Sequence, residues 1–417
     1  MLPQLNPLKR RQFLDRLTLA TLGVTTSSSL AEKMVGPTPS NKKLIFLYMD
    51  GGMSHLDTFD PHPGTDEAGP VTAIGTNVEG IQISEYMPNL AKHMNKLSII
   101  RSMYSTQGAH AQGKYLMHTG YQQRGTVVHP TLGTWSLYHQ GKINPTLPGN
   151  VVINPYTDYP YAGWMSAELG AVPLGDASKG LQNSNRPQWA NETQYHDQLE
   201  LARIFDQAFQ QKYRQKSINA YNHFYDEALS LMRSEDIKAF DITLESQATR
   251  ERYGIESKFG QGCLLARRLV ENNVRCVEVV NRGWDSHNTL PEDKIRDMDR
   301  GFSALMQDLE ERGLLESTIV VLATEFGRTP DIKPETLGRD HWAKAFSCVI
   351  GGGGLTTGQI IGAPDRGHEV MEPKVEIPDL HTTIATAMGM PAKEIITSES
   401  GRPFNVGYKG TLIPGLI

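Results

Sequence analysis

Cysteine is scarce in this 417-residue chain: there are three, at positions 263, 276 and 348. Three thiols close at most one bridge, which excludes a disulfide framework. Cys276 and Cys348 lie in apolar runs and Cys263 in a helical pattern, so all three read as packing residues. Long apolar runs are also missing. None reaches 18 residues, and no conventional membrane-spanning helix is encoded. Excess positive charge is absent too. Lys and Arg total 41 against 46 Asp and Glu, a formal charge of −5, with no basic field to neutralise the phosphates of a nucleic acid. The glycine run Gly351–Gly354 lacks the Lys-Ser/Thr that completes a phosphate-cradling loop and reads as a turn. No internal repeat or low-complexity segment is present.

What remains is an ordinary soluble composition, 39% hydrophobic and 21% charged. Gly at 39 and Pro at 24 predict many turns and long loops. At roughly 150 residues per domain, the length allows two to three domains or one large α/β domain. The N-terminus carries Lys9-Arg10-Arg11-Gln12-Phe13-Leu14, then a short apolar stretch, Leu17–Val24, and small residues to Ala31. A charged start, a short apolar centre and a small-residue exit resemble a twin-arginine export signal. An amphipathic first helix, with Asp15 on its polar side, is the alternative. The export reading predicts a signal over 1–31, a mature domain over 32–417, periplasmic or other exported localisation, and the twin-arginine export machinery as a partner.

Beyond a polar linker, Leu44–Met49 is a continuous apolar run of strand length ending in Asp50-Gly51-Gly52. A short run apolar on both faces predicts a buried strand of a parallel sheet. Similar runs occur at Leu97–Ile100, Val151–Ile153, Val274–Val280, Thr318–Leu322 and Ser347–Ile350. Helical patterns at Met87–Met94, Ser257–Asn272 and Ile295–Gly313 alternate with them. That alternation predicts an α/β fold with a mostly parallel central sheet flanked by helices. The charged stretch over about 191–250 predicts a helical insertion packed on the sheet or covering the site.

Ligands of open parallel sheets bind beyond the carboxyl ends of the strands, and polar clusters fall there. The first strand runs into Asp50, Ser54, His55 and Asp57. The strand after 274 runs into Trp284-Asp285-Ser286-His287, and the strand after 318 into Thr324-Glu325-Phe326-Gly327-Arg328. A loop then delivers Arg339-Asp340-His341. Each group has a plainer reading. Asp50 serves as a turn residue, Asp285 or His287 as a surface turn residue, Glu325 with Arg328 as a local ion pair, and Asp340-His341 as a loop pair. Taken together, carboxylates and imidazoles at successive strand ends form a ligand set for Zn²⁺, Mn²⁺ or a related divalent ion. Several acids in one pocket would repel one another without a cation.

These residues carry a resemblance. With Pro88-Asn89-Leu90 and the segment Asp379–Gly389, they resemble the alkaline phosphatase superfamily, sulfatases included, and more closely the domain of unknown function 1501 family. The resemblance spans Leu44 to Met390. It implies a three-layer α/β sandwich and a site for one or two metal ions (Zn, Mn or Ca). On it, Asp50 ligates one metal and Asp285 the other. Glu325 stands where an Asp-His pair is usual, with Phe326 replacing the histidine. His341 falls near the last histidine ligand, and His287 follows its aspartate by two residues rather than four. Asp340 becomes a ligand or an orienter.

Counting back from Thr119-Gly120, His110 occupies the nucleophile position and Lys114 that of an arginine. His110 is then nucleophile, ligand or general acid, with Ser102, Ser105 and Thr106 as alternatives in a shifted register. His118 reads as a helix-face residue. Lys114, Arg328 and Arg339 are candidates for binding substrate oxyanions. The implied activity is exported, metal-dependent hydrolysis of a phosphate or sulfate ester, in a small molecule or a polysaccharide. The altered nucleophile keeps open a non-catalytic, metal-stabilised envelope binding or assembly protein on the same fold, or a mutase or transferase relative.

Overall fold

In the computed structural model, which describes residues 40–181, 227 and 230–417, the leading apolar run is strand β1, Lys43–Asp50, buried along its whole length. The expected export signal and residues 191–226 of the expected insertion lie outside the described residues. The compact unit that carries the site is Asn41–Ile417.

Strand β2 (Leu97–Tyr104) precedes two helices, α1 (His110–Thr119) and α2 (Leu132–Gln140). Strands β3 (Asn150–Ile153) and β4 (Val172–Leu174) follow. Next come α3 (Gln247–Tyr253), α4 (Lys258–Glu271), β5 (Cys276–Arg282) and α5 (Glu292–Glu311). Strand β6 (Thr318–Ala323) leads to a short hairpin, β7 (Gly327–Arg328) and β8 (His341–Trp342). The chain continues through β9 (Phe346–Gly352), β10 (Gln359–Ile361), β11 (Val375–Glu376) and α6 (Ile377–Ala387).

The central sheet runs β10-β2-β9-β6-β1-β5-β3-β4, with β11 adding to β2. Strand β1 lies at its heart, parallel to both β5 and β6. Strand β9 is antiparallel to its two neighbours, which makes the sheet mostly rather than wholly parallel.

Side chains alternate across β1 and build two cores. Ile45, Leu47 and Met49 pack with Leu264, Leu265, Phe302 and Leu305 of α4 and α5. Leu44, Phe46 and Tyr48 face the opposite core, with Leu116 of α1, Trp135 of α2 and Leu380 and Ile384 of α6. The result is three layers, helix on sheet on helix, each helix burying one apolar stripe. Ser257 accepts from Gly260 N to cap α4, and Glu376 and Asp379 form a capping box on α6.

One detail differs from expectation. The 87–94 pattern yields a 3₁₀ turn at Leu90–Lys96 rather than an α-helix. Its entry is taken by Asp299 of α5, which accepts hydrogen bonds from Leu90 N at 2.6 Å and Asn89 Nδ2 at 2.8 Å. The described end of the charged insertion consists of 3₁₀ turns and α3. Phe240, Ile242 and Tyr253 of this stretch join the α4–α5 core.

Candidate metal centre

The carboxyl ends of β1, β5 and β6 sit side by side because these strands are adjacent and parallel, so Asp50, Asp285 and Glu325 are delivered to one edge of the sheet. Close approach of these strand ends requires glycine. A Cβ on Gly51 would lie 2.5 Å from Asp285 N, and Gly51 holds φ +128°, a conformation that side chains disfavour. Helix α1 crosses the same edge. A Cβ on Gly113 would stand 3.1 Å from Glu325 Cβ, so the glycine lets the helix seat there with His110 over the strand ends.

His110, Asp285 and His341 bring one ligating atom each to within 4.8 Å of one another. The imidazoles are held from behind. His110 Nδ1 faces Glu325 Oε1 at 2.7 Å, His287 Nδ1 faces Asp340 Oδ1 at 2.7 Å, and His341 Nδ1 faces the Gly108 carbonyl at 3.0 Å. Carboxylates and carbonyls only accept, so each Nδ1 donates to the group behind it, and each Nε2 of a neutral ring can present its lone pair inward. The three Nε2 atoms converge on one carboxylate: His110 at 3.4 Å, His287 at 3.1 Å and His341 at 3.3 Å from an Asp285 oxygen. His287 Nε2 and His341 Nε2 are 3.0 Å apart. Acceptors packed this closely repel unless a proton or a cation lies between them. Histidines backed by a carboxylate or carbonyl, with Nε2 directed inward, match the donor chemistry of a divalent metal site.

The titration behaviour follows from the same contacts. Burial works to raise the Asp285 carboxyl, but the Arg328 guanidinium at 2.6 Å outweighs it and holds the group at about 2. The Glu325 hydrogen bond raises His110 above the ordinary imidazole value. Burial lowers His341, with the charges of His110 and Arg328 adding to the effect.

Other predicted residues stand differently. Glu325 lies behind His110, not among the mutually close ligand atoms. It is wholly buried, and its oxygens accept from Tyr48 Oη at 2.8 Å and Gly51 N at 3.1 Å as well as from His110. Asp340 likewise backs His287, and also receives Lys333 Nζ at 2.7 Å. Asp50 is nearly buried and forms an ion pair with Lys114. One turn from His110 on α1, Lys114 keeps about a fifth of its side chain exposed.

The two arginines expected to hold substrate oxyanions are instead spent on structure. Arg328 is fully buried, donating to the carbonyls of Gly51, Gly52, Trp284 and Arg339 besides Asp285. Arg339 is buried against Asp57, at 3.0 Å and 3.2 Å, and against the carbonyls of Thr329, Pro330 and Glu67. A guanidinium with its donors committed to main-chain carbonyls has none to spare for a substrate.

Sequence reading missed Tyr48 and Gly108. Tyr48 lies two residues before Asp50 on the same strand face, a usable signal. A backbone carbonyl such as that of Gly108 leaves no mark in residue types.

A comparison with curated proteins finds no match. Solved structures of similar fold include a protein of the alkaline phosphatase superfamily from Vibrio parahaemolyticus, with 9% identity, 93% of this chain and 76% of that one covered, and a TM-score of 0.37. A lipoteichoic acid synthase from Listeria monocytogenes shows 9% identity over 94% and 88% of the two chains, with a TM-score of 0.39. A sulfatase from a Pseudoalteromonas species shows 13% identity over 94% and 73%, also at 0.39. At the level of sequence, residues 41–417 match the family described as protein of unknown function (DUF1501), and the chain belongs to that family.

Proposed function

We propose that the protein is a metal-dependent hydrolase of phosphate or sulfate esters. The observation that carries this reading is the convergence of three Nε2 atoms on Asp285, each imidazole held by an acceptor behind it. His110, Asp285 and His341 would hold the ion, with His287 completing the set. Glu325, Asp340 and the Gly108 carbonyl fix the tautomers and ring orientations. A divalent ion held there would polarise an ester oxygen and lower the pKa of an attacking water.

The chain's own groups supply the remainder. With Nδ1 tied to Glu325 and Nε2 facing Asp285, His110 fits a ligand better than a nucleophile. Lys114 stands beside the cluster as the partly exposed cation to meet a substrate oxyanion. Arg328 holds Asp285 ionised and locks the Gly51-Gly52 turn, a positioning role. Elemental analysis of the purified protein, paired with a panel of phosphate and sulfate esters, tests the reading. Bound divalent metal and an ester turnover that both disappear in Asp285→Asn are the expected result. Metal-free protein with unchanged turnover in that variant overturns it.

The histidine at the nucleophile position favours a second reading, a metal-stabilised binding or assembly protein without turnover. Stoichiometric metal together with inertness across the whole panel would select it. Export through the twin-arginine route is part of the proposal. Replacing Arg10 and Arg11 by lysine should retain the protein in the cytoplasm of a host with that pathway, and undiminished export would refute the assignment.

A further inference from the structure

A cavity of about 520 Å³ opens beside the C-terminal end of α1. That volume lies within the range of small-ligand pockets. Its floor is aromatic and fixed. Tyr121 stacks on His129 at 4.3 Å with an interplanar angle of 5°, and Phe404 stands edge-on to both. The Tyr121 hydroxyl donates to Asn405 O at 2.8 Å. Tyr115 Oη accepts from His129 N at 2.7 Å and meets Nδ1 of the same residue at 2.7 Å, which pins the ring. Tyr408, exposed at the rim, lies 5.2 Å from Tyr121.

Two cations and one acid line this cavity. Arg124 and Arg402 both line it and are exposed. Among the described residues neither forms an ion pair with a carboxylate. Arg402 Nη1 donates only to the neutral Thr126 Oγ1, at 2.8 Å. The acid in the lining, Glu376, is engaged in capping α6. Ser105, Thr106 and Gln122 add hydroxyl and amide groups between the arginines and the aromatic floor.

The cavity is tied to the metal cluster through two rigid connections. Leu116 and Gly120, on and just past α1, line it, while His110 begins the same helix. Ten helical residues span about 15 Å, the length of a few sugar rings. Ser105 and Thr106 lie in the cavity wall, and the same loop supplies the Gly108 carbonyl that holds His341.

We infer that this cavity is a binding site for an anionic saccharide unit, whose ring packs against the exposed Tyr408, itself backed by the nearly buried Tyr121–His129–Phe404 cluster, and whose sulfate or carboxylate is held by Arg124 and Arg402. Aromatic faces suit the apolar face of a pyranose, and unpaired guanidiniums suit planar or tetrahedral oxyanions. The assignment rests on the esterase reading in one respect. It names the polymer whose ester the nearby cluster would receive.

Equilibrium binding of a sulfated isomaltohexaose, and of the same hexaose without sulfate, separates the two readings because it needs neither turnover nor metal. The sulfated form is expected to bind, and the double variant Arg124→Ala/Arg402→Ala to weaken it at least tenfold with metal content unchanged. Tyr408→Ala should weaken it severalfold. Equal affinity for the two hexaoses, or undiminished binding by the double variant, overturns the site while leaving the metal centre untouched. Conversely, sulfate-selective binding by a protein that takes up no metal supports the cavity and removes the esterase.

Discussion

His110 and His118 stand on one helix, two turns apart, and both pair with a buried carboxylate, yet they serve different ends. His118 has both nitrogens engaged inside the protein. Nε2 meets Glu278 Oε1 at 2.8 Å and Nδ1 meets the Lys114 carbonyl at 2.7 Å, while Tyr159 donates to the other Glu278 oxygen at 2.6 Å. Burial disfavours its charge, but Glu278 more than compensates and the imidazole is raised above its ordinary value. His110 has one nitrogen engaged by Glu325 and the other aimed at Asp285 and its neighbours. The lesson concerns the second nitrogen. A histidine satisfied on both sides by its own protein cements the core, and one with a nitrogen facing other donors offers a ligand.

The largest way to break the comparison is at its open end. Asp285→Asn should remove bound metal and lower ester turnover by about 1,000-fold or more, equivalent to about 4 kcal/mol of lost charge stabilisation. Steady-state kinetics with elemental analysis reads both effects, and near-normal turnover would count against the metal centre. At the closed end, His118→Ala leaves Glu278 buried with only Tyr159 as partner. The expected cost is about 3 kcal/mol of stability with metal content retained, read by denaturant unfolding.

A third histidine sharpens the contrast through pH. His381 donates from Nε2 to the Met117 carbonyl of α1 at 2.7 Å and is buried without a carboxylate, so desolvation takes it down to about 4. An unfolded histidine titrates near 6.5. Between those values the unfolded chain binds more protons than the folded one, so stability falls as pH drops from about 6.5 to 4. The effect of this one site is at most about 3 kcal/mol. His381→Gln should flatten the slope measured by unfolding at pH 7, 5.5 and 4.5, with His55 and His129, both also near 4, providing the remainder. An unchanged slope would exclude His381 as a contributor. The smallest effect concerns orientation alone. Glu325→Gln should weaken metal binding about 10- to 100-fold while the fold survives, as measured by competition with a chelator. Unaltered affinity would show that the ring is held by other contacts.

Much of the scaffold was legible because it rests on local pattern. Apolar runs of strand length became β1, β2, β3, β5, β6 and β9, and the amphipathic segments after Ser257 and around Ile295 became α4 and α5. The polar clusters were visible as positions following strands. Division of labour within them was not. Asp50, Asp285 and Glu325 look equivalent in a linear reading, yet one is neutralised by Lys114, one is the focus of three imidazoles, and one is sealed behind His110. The arginines were misjudged for a related reason. Their exposed or buried state depends on which carbonyls the Gly51-Gly52 turn and the β7–β8 hairpin direct at them.

The sequence by itself determined an α/β chain with acidic and imidazole residues at the carboxyl ends of its strands. Hydrophobic periodicity specifies strands and helices locally, and adjacent parallel strands leave their ends at one edge. Tertiary structure alone decided which nitrogen of each histidine faces inward and which carboxylate stands behind it. Those choices follow from hydrogen-bond partners that are 53 to 233 residues away in the chain, as for His287 with Asp340 and His341 with the Gly108 carbonyl. No local pattern encodes contacts between residues so distant in sequence.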